Sequence, residues 1–476
     1  MIARIRTLLV LCAVVLAAPA TAYAQHFSSD EELTALIRSR VEEGRAVGIV
    51  LGVLEADGST RIVSYGDAGP NARPLGALSV FEIGSVTKVF TGILLADMVA
   101  RGEVSLSDPV AAYLPDEVTM PSRGGREITL LDIATHHSAL PRVPDNLSPA
   151  DRTNPYADYT VEQLYTFLSG HELRRDIGVE YEYSNLATGL LGHVLAGVGG
   201  GTYEEVVRER ILDPLGMEMT TVTLDGATRD WMTQGHDTRG EVVPYWDLPT
   251  LAGAGALRSN ATDMLTFLAA NVGEPTTALE RAMRNSHVVR ESISDEMSVG
   301  LNWHVRHVGD ARVVWHNGGT GGFRTFAGFD PESGVGAVVL TNSAHDADDI
   351  GFHLINPELP LADPPTEDEP EVIQARYEAA IRWVRQVIDG EFEQAAERVH
   401  PAVAAQLTAD ALQAAWARLG PQLGALESLE PGEQSVDQGM NLVVLTGVFA
   451  AGTFDVLVYM DDAHAVGGFF VRPPRG

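Results

Sequence analysis

Lys88 is the single lysine among 33 basic side chains, and it stands three residues after a serine in Phe81-Glu82-Ile83-Gly84-Ser85-Val86-Thr87-Lys88. Arginine keeps its proton in a protein, whereas a buried lysine can lose one and act as a base. A chain that uses arginine for every other cation and keeps one lysine near a serine points to a site that needs an amine. Serine is a weak nucleophile without an adjacent base, so the pair has the composition of an activated nucleophile. A solvated lysine beside an N-capping serine is the bland alternative, and a lone Ser-x-x-Lys permits it. Two further stretches carry groups of the same kind. Tyr181-Glu182-Tyr183-Ser184-Asn185 offers phenols and an amide, and Trp315-His316-Asn317-Gly318-Gly319-Thr320-Gly321-Gly322-Phe323 offers an imidazole among glycines. Taken alone, the first reads as a helix cap and the second as a glycine hairpin.

The surrounding pattern is arranged to position these groups. Phe81-Glu82-Ile83 is short and apolar, Gly84 breaks it, and Val86, Val89, Phe90, Ile93, Leu94 and Met98 follow at helical spacing until Gly102. Ser85 is therefore expected at a helix N-terminus, where free N–H groups favour developing negative charge. Lys88 lies one turn on, on the same face. The dipole disfavours a cation there, which argues against a merely solvated lysine. Leu186–Val194 reads as a buried helix behind Asn185. Residues 47–55 and 60–65 read as strands across an Asp57-Gly58 turn, and 312–316, 323–330 and 335–341 as three more. Strands at both ends with helices between predict one antiparallel sheet closed by the two ends of the region, with an inserted helical region.

In this order, the three motifs resemble the serine β-lactamase-like hydrolases, a family that includes class C β-lactamases, DD-peptidases, D-aminopeptidases and related esterases. The likeness covers most of residues 30–345, with supporting matches at 130–141 and 253–264. It implies an α+β fold of the β-lactamase/transpeptidase-like kind, with helices on the faces of an antiparallel sheet. It also implies roles. Ser85 attacks a carbonyl and becomes acylated, Lys88 takes the serine proton, and Tyr183 shuttles a proton to the leaving group. Lys88 and Tyr183 both stay open as the general base. Asn185 binds substrate or holds Lys88. His316 stands where many relatives have the lysine of a Lys-Thr-Gly triplet, with Gly318 as the matching glycine that lets the strand approach the substrate. The N–H groups of Ser85 and Gly319 would form the oxyanion hole, each such donor contributing about 3 kcal/mol. His316 brings no fixed positive charge at neutral pH, which weakens the expectation of efficient β-lactam hydrolysis. Ala139 replaces the usual glycine of a His-x-Ser-Gly-Leu pattern, a change attributed here to packing. His136 and His137 are expected to be core or turn histidines, and no metal or other cofactor is expected.

Arg4 and Arg6 precede an apolar run from Leu8 to Ala18, and Ala22-Tyr23-Ala24 offers a cleavage site, so residues 1–24 read as a signal peptide and the protein as exported, periplasmic or extracellular, without a membrane anchor. Cys12, the only cysteine, lies in that leader. Its removal with two arginines takes the formal charge from −32 to −34, which argues against nucleic-acid binding. No Gly-x-Ser-x-Gly elbow is present, which disfavours an α/β-hydrolase. The hydrolase domain is expected over 25–356, a Pro- and acid-rich linker over 357–371, and a small α+β domain over 372–476, with helices near 372–388, 392–399 and 409–419 and strands at 441–449, 453–459 and 465–471. The last domain resembles cystatin-like or nuclear-transport-factor-like modules and is expected to be an accessory. The expected partner is a small-molecule or peptide substrate (a D-residue peptide, a β-lactam or a small ester), with peptidoglycan-derived peptides included. A catalytically silent penicillin- or peptidoglycan-binding sensor is the rival, against which the full set of Ser, Lys, Tyr, Asn and His-x-Gly positions speaks. A Ser-Lys endoprotease on another fold is a third reading, disfavoured by the second and third motifs.

Overall fold

A computed structural model describes residues 27–309, 311–362, 370–404, 406–437 and 440–472. The expected leader, with Cys12, lies outside them. Among the described residues no helix is long and apolar enough to cross a membrane. The chain divides into two compact units at 362/363.

The first unit is built on an eight-stranded antiparallel sheet. Its strands are β1 (Gly48–Leu54), β2 (Thr60–Gly66), β3 (Glu291–Ser292), β4 (Met297–Val299), β5 (His304–Val308), β6 (Ala311–Gly319), β7 (Arg324–Phe329) and β8 (Gly336–Thr341), in the order β2-β1-β8-β7-β6-β5-β4-β3. The first strand pairs with the last, Ile49 opposite Thr341 through Leu54 opposite Gly336. This is the closure by the two ends that strands at both ends of the region imply. Side chains alternate between the sheet's two faces. Ile49, Leu51, Val53 and Val339 pack with Ile37 and Phe352 on one face, against α1 (Asp30–Glu42) and a helix at Asp348–Ile355. Val50, Leu54, Val338 and Leu340 join the larger core on the other face, beside the helical region. Both faces are covered, so β1 and β8 are buried along their whole length and read as unbroken apolar runs.

Two helices matter most for chemistry. The first, α2 (Thr87–Arg101), is buried from Thr87 to Met98 and stops at Gly102, whose φ of 72° is a left-handed cap. The second, α3 (Asn185–Gly199), is capped by Ser184, whose hydroxyl accepts from the Ala187 N–H at 2.9 Å. Ser85 lies in a 3-10 turn, Gly84–Val86, that leads into α2 rather than in the α-helix itself. The turn tightens the entry without changing the Ser85–Lys88 spacing. Packing continues past the expected domain end at 356. Leu359 is buried in the sheet's outer cluster, and the Ala362 N–H donates to Asp349 at 2.7 Å. Residues 363–369 of the expected linker lie outside the described residues.

The second unit has helices at Pro370–Ile388, Phe392–Ala396 and Ala409–Leu423, followed by a four-stranded antiparallel meander of β9 (Leu426–Asp437), β10 (Met440–Phe449), β11 (Gly452–Met460) and β12 (Val466–Arg472). Trp383, Val443, Leu445, Val456 and Val458 are buried at its centre. The sequence pattern missed β9. Pro431 and Gly432 interrupt it, and its register with β10 slips between Pro431 and Gln434. A proline and a bulge are tolerated there because β9 is an edge strand.

Candidate active site

Lys88 is fully buried at the start of α2, and among the described residues no acid pairs with it. Its Nζ lies 2.9 Å from Ser85 Oγ, 2.9 Å from Asn185 Oδ1 and 2.7 Å from the Ala254 carbonyl oxygen. Burial, with a smaller contribution from the Arg142 charge, pushes the amine well below its usual pKa of 10.5. A neutral amine has two N–H donors and one lone pair. Asn185 Oδ1 and Ala254 O can only accept, so they take the two N–H groups and leave the lone pair for the Ser85 hydroxyl proton. The other half of the Asn185 amide donates from Nδ2 to the Tyr156 hydroxyl at 3.2 Å, which fixes its orientation. The Ala254 carbonyl is delivered by α2 itself. Thr91 donates to the Gly253 carbonyl at 2.8 Å, and Thr87 Oγ1 accepts from the Leu257 N–H at 3.1 Å.

Tyr183 stands over this pair, its ring centroid 4.9 Å from Lys88 Nζ. Burial pushes its phenol pKa above 10, and hydrogen bonding with Ser85 offsets this only in part. Burial therefore favours the uncharged form of both the phenol and the amine. Of the two groups left open as base, the amine is the one with a free lone pair, and the phenol is suited to relaying a proton.

His316 is buried on β6, with its Nδ1 2.6 Å from the Asn317 carbonyl. That carbonyl needs a donor, so the proton sits on Nδ1 and Nε2 is left as a buried acceptor with no partner among the described residues. Burial first, then the neighbouring His304 and Lys88, push its pKa well below 6.5. His304 is 5.0 Å away ring to ring and is itself held down to about 4 by burial and Lys88. His304 Nε2 meets the Tyr181 hydroxyl at 2.8 Å.

The glycines bring this strand onto the Ser85 turn. A Cβ on Gly318 would lie 1.9 Å from the Ile83 carbonyl oxygen, and one on Gly84 (φ 48°) would lie 2.7 Å from Gly319 N. Thr325 on β7 donates to the same Ile83 carbonyl at 2.9 Å. The backbones of Ser85 and Gly319 are thus adjoining, and beyond Trp315 the β5 partner ends, so His316–Gly319 has a neighbouring strand only at β7. Gly318→Ala is expected to push β6 off the Gly84 turn and lower kcat/KM by about 100-fold or more, since a displacement of about 1 Å at a reacting centre has that effect. The melting temperature should fall far less. Turnover within threefold of wild type would show that the contact does not matter.

The loop 136–142 latches onto the start of α3. The Ser184 N–H donates to His136 Nδ1 at 3.2 Å, the Ser184 hydroxyl to the Pro141 carbonyl at 2.6 Å, and the Asn185 N–H to the Arg142 carbonyl at 2.9 Å. Ala139 in this loop has φ 62°, so the glycine of the related pattern answers a left-handed backbone position and not packing, as its sequence context suggested. His137 Nδ1 contacts the Thr135 carbonyl at 2.7 Å, and among the described residues no group of three His, Cys, Asp or Glu could hold a metal. Sequence reasoning missed Tyr156, Arg142, His304 and the Ala254 carbonyl. Arg142 had a signal, since it follows directly on Ser138-Ala139-Leu140-Pro141; the other three had none.

A partly exposed serine beside a buried lysine, extended by a tyrosine, an asparagine and a strand-borne glycine edge, defines a serine hydrolase. The family model described as Beta-lactamase matches residues 33–356, and the chain belongs to the β-lactamase family. It is 31% identical over 318 residues to the D-alanyl-D-alanine-carboxypeptidase/endopeptidase AmpH of Escherichia coli (strain K12), spanning 63% of this chain and 80% of that one. A β-lactamase from Pseudomonas fluorescens is 25% identical over 62% of this chain and 88% of its own length. Among solved structures, the β-lactamase/D-alanine carboxypeptidase from Pseudomonas syringae shares the fold, with TM-score 0.61 and 21% identity over 72% of this chain and 100% of that one. The class C β-lactamase from Rhodobacter sphaeroides has TM-score 0.59 and 25% identity over 68% and 99%.

Proposed function

We propose that this chain is an exported hydrolase that cleaves amide or ester bonds through an acyl-enzyme on Ser85, with peptides ending in D-alanyl-D-alanine as its first substrate class. The observation that carries the reading is the buried Lys88 amine 2.9 Å from Ser85 Oγ, with Asn185 Oδ1 and the Ala254 carbonyl as its two other partners. As Oγ bonds to the substrate carbonyl carbon, Lys88 takes the serine proton. The N–H groups of Ser85 and Gly319 hold the oxyanion while it exists. When the carbonyl carbon–nitrogen or carbon–oxygen bond breaks, the proton passes by way of Tyr183 to the departing amine or alcohol. Water then attacks the acyl carbon, gives its proton to the same relay and frees the serine. His316 Nε2 and Asn185 face the substrate as an acceptor and a donor.

The identity to the AmpH carboxypeptidase/endopeptidase supports the substrate class. The arginine-flanked apolar run at the N-terminus supports export, with 1–24 as leader, 25–356 as the hydrolase domain, 357–371 as linker and 372–476 as accessory domain. The test is release of D-alanine from a tripeptide ending in D-alanyl-D-alanine, run beside a p-nitrophenyl ester and benzylpenicillin. D-Alanine release supports the reading. Ester turnover without it moves the substrate class to esters. Inertness toward all three, with no covalent adduct, overturns the hydrolase reading.

A further inference from the structure

Arg142 is exposed at the mouth of the site, with its Cζ 5.1 Å from the centroid of the Tyr183 ring. No carboxylate holds its guanidinium among the described residues, in a chain with 65 acids. Nearby arginines are engaged: Arg258 lies 3.2 Å from Glu82, and Arg126 lies 2.7 Å from Asp132. Glu182, next to Tyr183, is taken by Arg175. Arg142 is nevertheless fixed in place, because its carbonyl accepts from the Asn185 N–H at 2.9 Å and the Leu186 N–H at 3.2 Å, which pins the residue to the start of α3. A pinned guanidinium lying on a ring has lost much of the freedom that weakens surface ion pairs, and it presents its remaining N–H groups as a fork for a planar anion. The rest of this pocket brings no permanent cation to that wall. Burial disfavours the charged form of Lys88, and His316 on β6 is held well below 6.5.

Building on the hydrolase reading above, we propose that Arg142 binds an anionic group of the substrate, so that the enzyme prefers substrates with a carboxylate on the part lying against the start of α3. The charge that selects the substrate then stands on the α3 wall, whereas Arg324, whose guanidinium lies against Gly319 at the β6 edge, donates to the Thr320 and Phe323 carbonyls at 3.0 and 3.1 Å.

The test compares mono-p-nitrophenyl adipate, which ends in a carboxylate, with its neutral methyl ester in wild type, Arg142→Gln and Arg142→Lys. Wild type is expected to favour the anionic ester in kcat/KM by roughly tenfold or more, mostly through KM, the usual size for a hydrogen-bonded charge. The preference should collapse in Arg142→Gln, return in part in Arg142→Lys, and weaken at raised salt because the guanidinium is exposed. Equal kcat/KM for the two esters in wild type, or a preference that survives Arg142→Gln, overturns the proposal and leaves the hydrolase reading intact. Hydrolysis of neither ester overturns the proposal, and the hydrolase reading falls with it only if the tripeptide and benzylpenicillin are inert as well.

Discussion

Lys88→Arg is expected to lower kcat/KM by at least about 100-fold on every substrate the wild type turns over, although it keeps a basic side chain. The reason is proton bookkeeping at Nζ. Two of its contacts, Asn185 Oδ1 and Ala254 O, need donors, and the third, Ser85 Oγ, must give up a proton. A neutral amine serves all three; a guanidinium has no lone pair to offer and keeps its charge. The same argument fixes the pH dependence. Burial lowers the Lys88 pKa, so the working form is the one present above that lowered value. Activity should rise with pH until the amine is deprotonated and then level off well below 10.5. The sign for stability is the same: between the lowered pKa and about 10.5 the unfolded chain binds a proton that the folded chain does not, so the cost of burying Lys88 shrinks as pH rises. The measurement is the pH profile of kcat/KM in wild type beside the activity of Lys88→Arg. A fully active arginine variant, or a wild-type limb that titrates near 10, would refute the role of base.

The buried imidazoles around Tyr183 belong to this economy of charge. His136 and His316 are pushed well below 6.5 and His304 to about 4, in each case mainly by burial. Uncharged at neutral pH, they add no field that would stabilise a phenolate on Tyr183. They also leave acceptor or donor positions unfilled, His316 Nε2 and His304 Nδ1 among them, where a substrate or water has something to bind.

How much of this was legible in the chain depends on range. The Ser85–Lys88 pair and the caps around it are separated by one helical turn, so spacing alone placed them on one face. The apolar runs at 47–55 and 335–341 were legible for the same reason, because each strand's pattern is local. The groups that surround the Lys88 amine are not local. Asn185 is 97 residues away and Ala254 is 166, and a backbone carbonyl leaves no trace in residue type. The strands β3–β5 at one end of the sheet were not foreseen either: His304–Val308 sets histidine and arginine among its valines, so it lacks the apolar run that marks a covered strand. Ala139 shows a subtler limit. The departure from the related pattern was visible, but its cause, a left-handed φ, belongs to the backbone.

Wild-type protein treated with benzylpenicillin is expected to gain the mass of the whole antibiotic, and Ser85→Ala to gain nothing while losing at least about 10,000-fold of its turnover on any substrate. Acylation by a β-lactam breaks the ring's carbon–nitrogen bond, but the departing nitrogen stays tethered to the acyl group, so no fragment leaves and the full mass remains on Oγ. A peptide differs at this point. Its amine product diffuses away and opens the approach by which water reaches the acyl carbon. The tethered nitrogen and the uncharged His316 both work against rapid release of the penicillin. A persistent adduct on wild type alone therefore supports Ser85 as nucleophile and a slow deacylation, as in a peptidase that penicillin blocks or in a sensor. D-Alanine release from the tripeptide separates those two. Penicillin consumed without an adduct would make the protein a working β-lactamase despite His316. An adduct that also forms on Ser85→Ala would sink the nucleophile assignment, because in that variant no side-chain oxygen remains at position 85 to carry it.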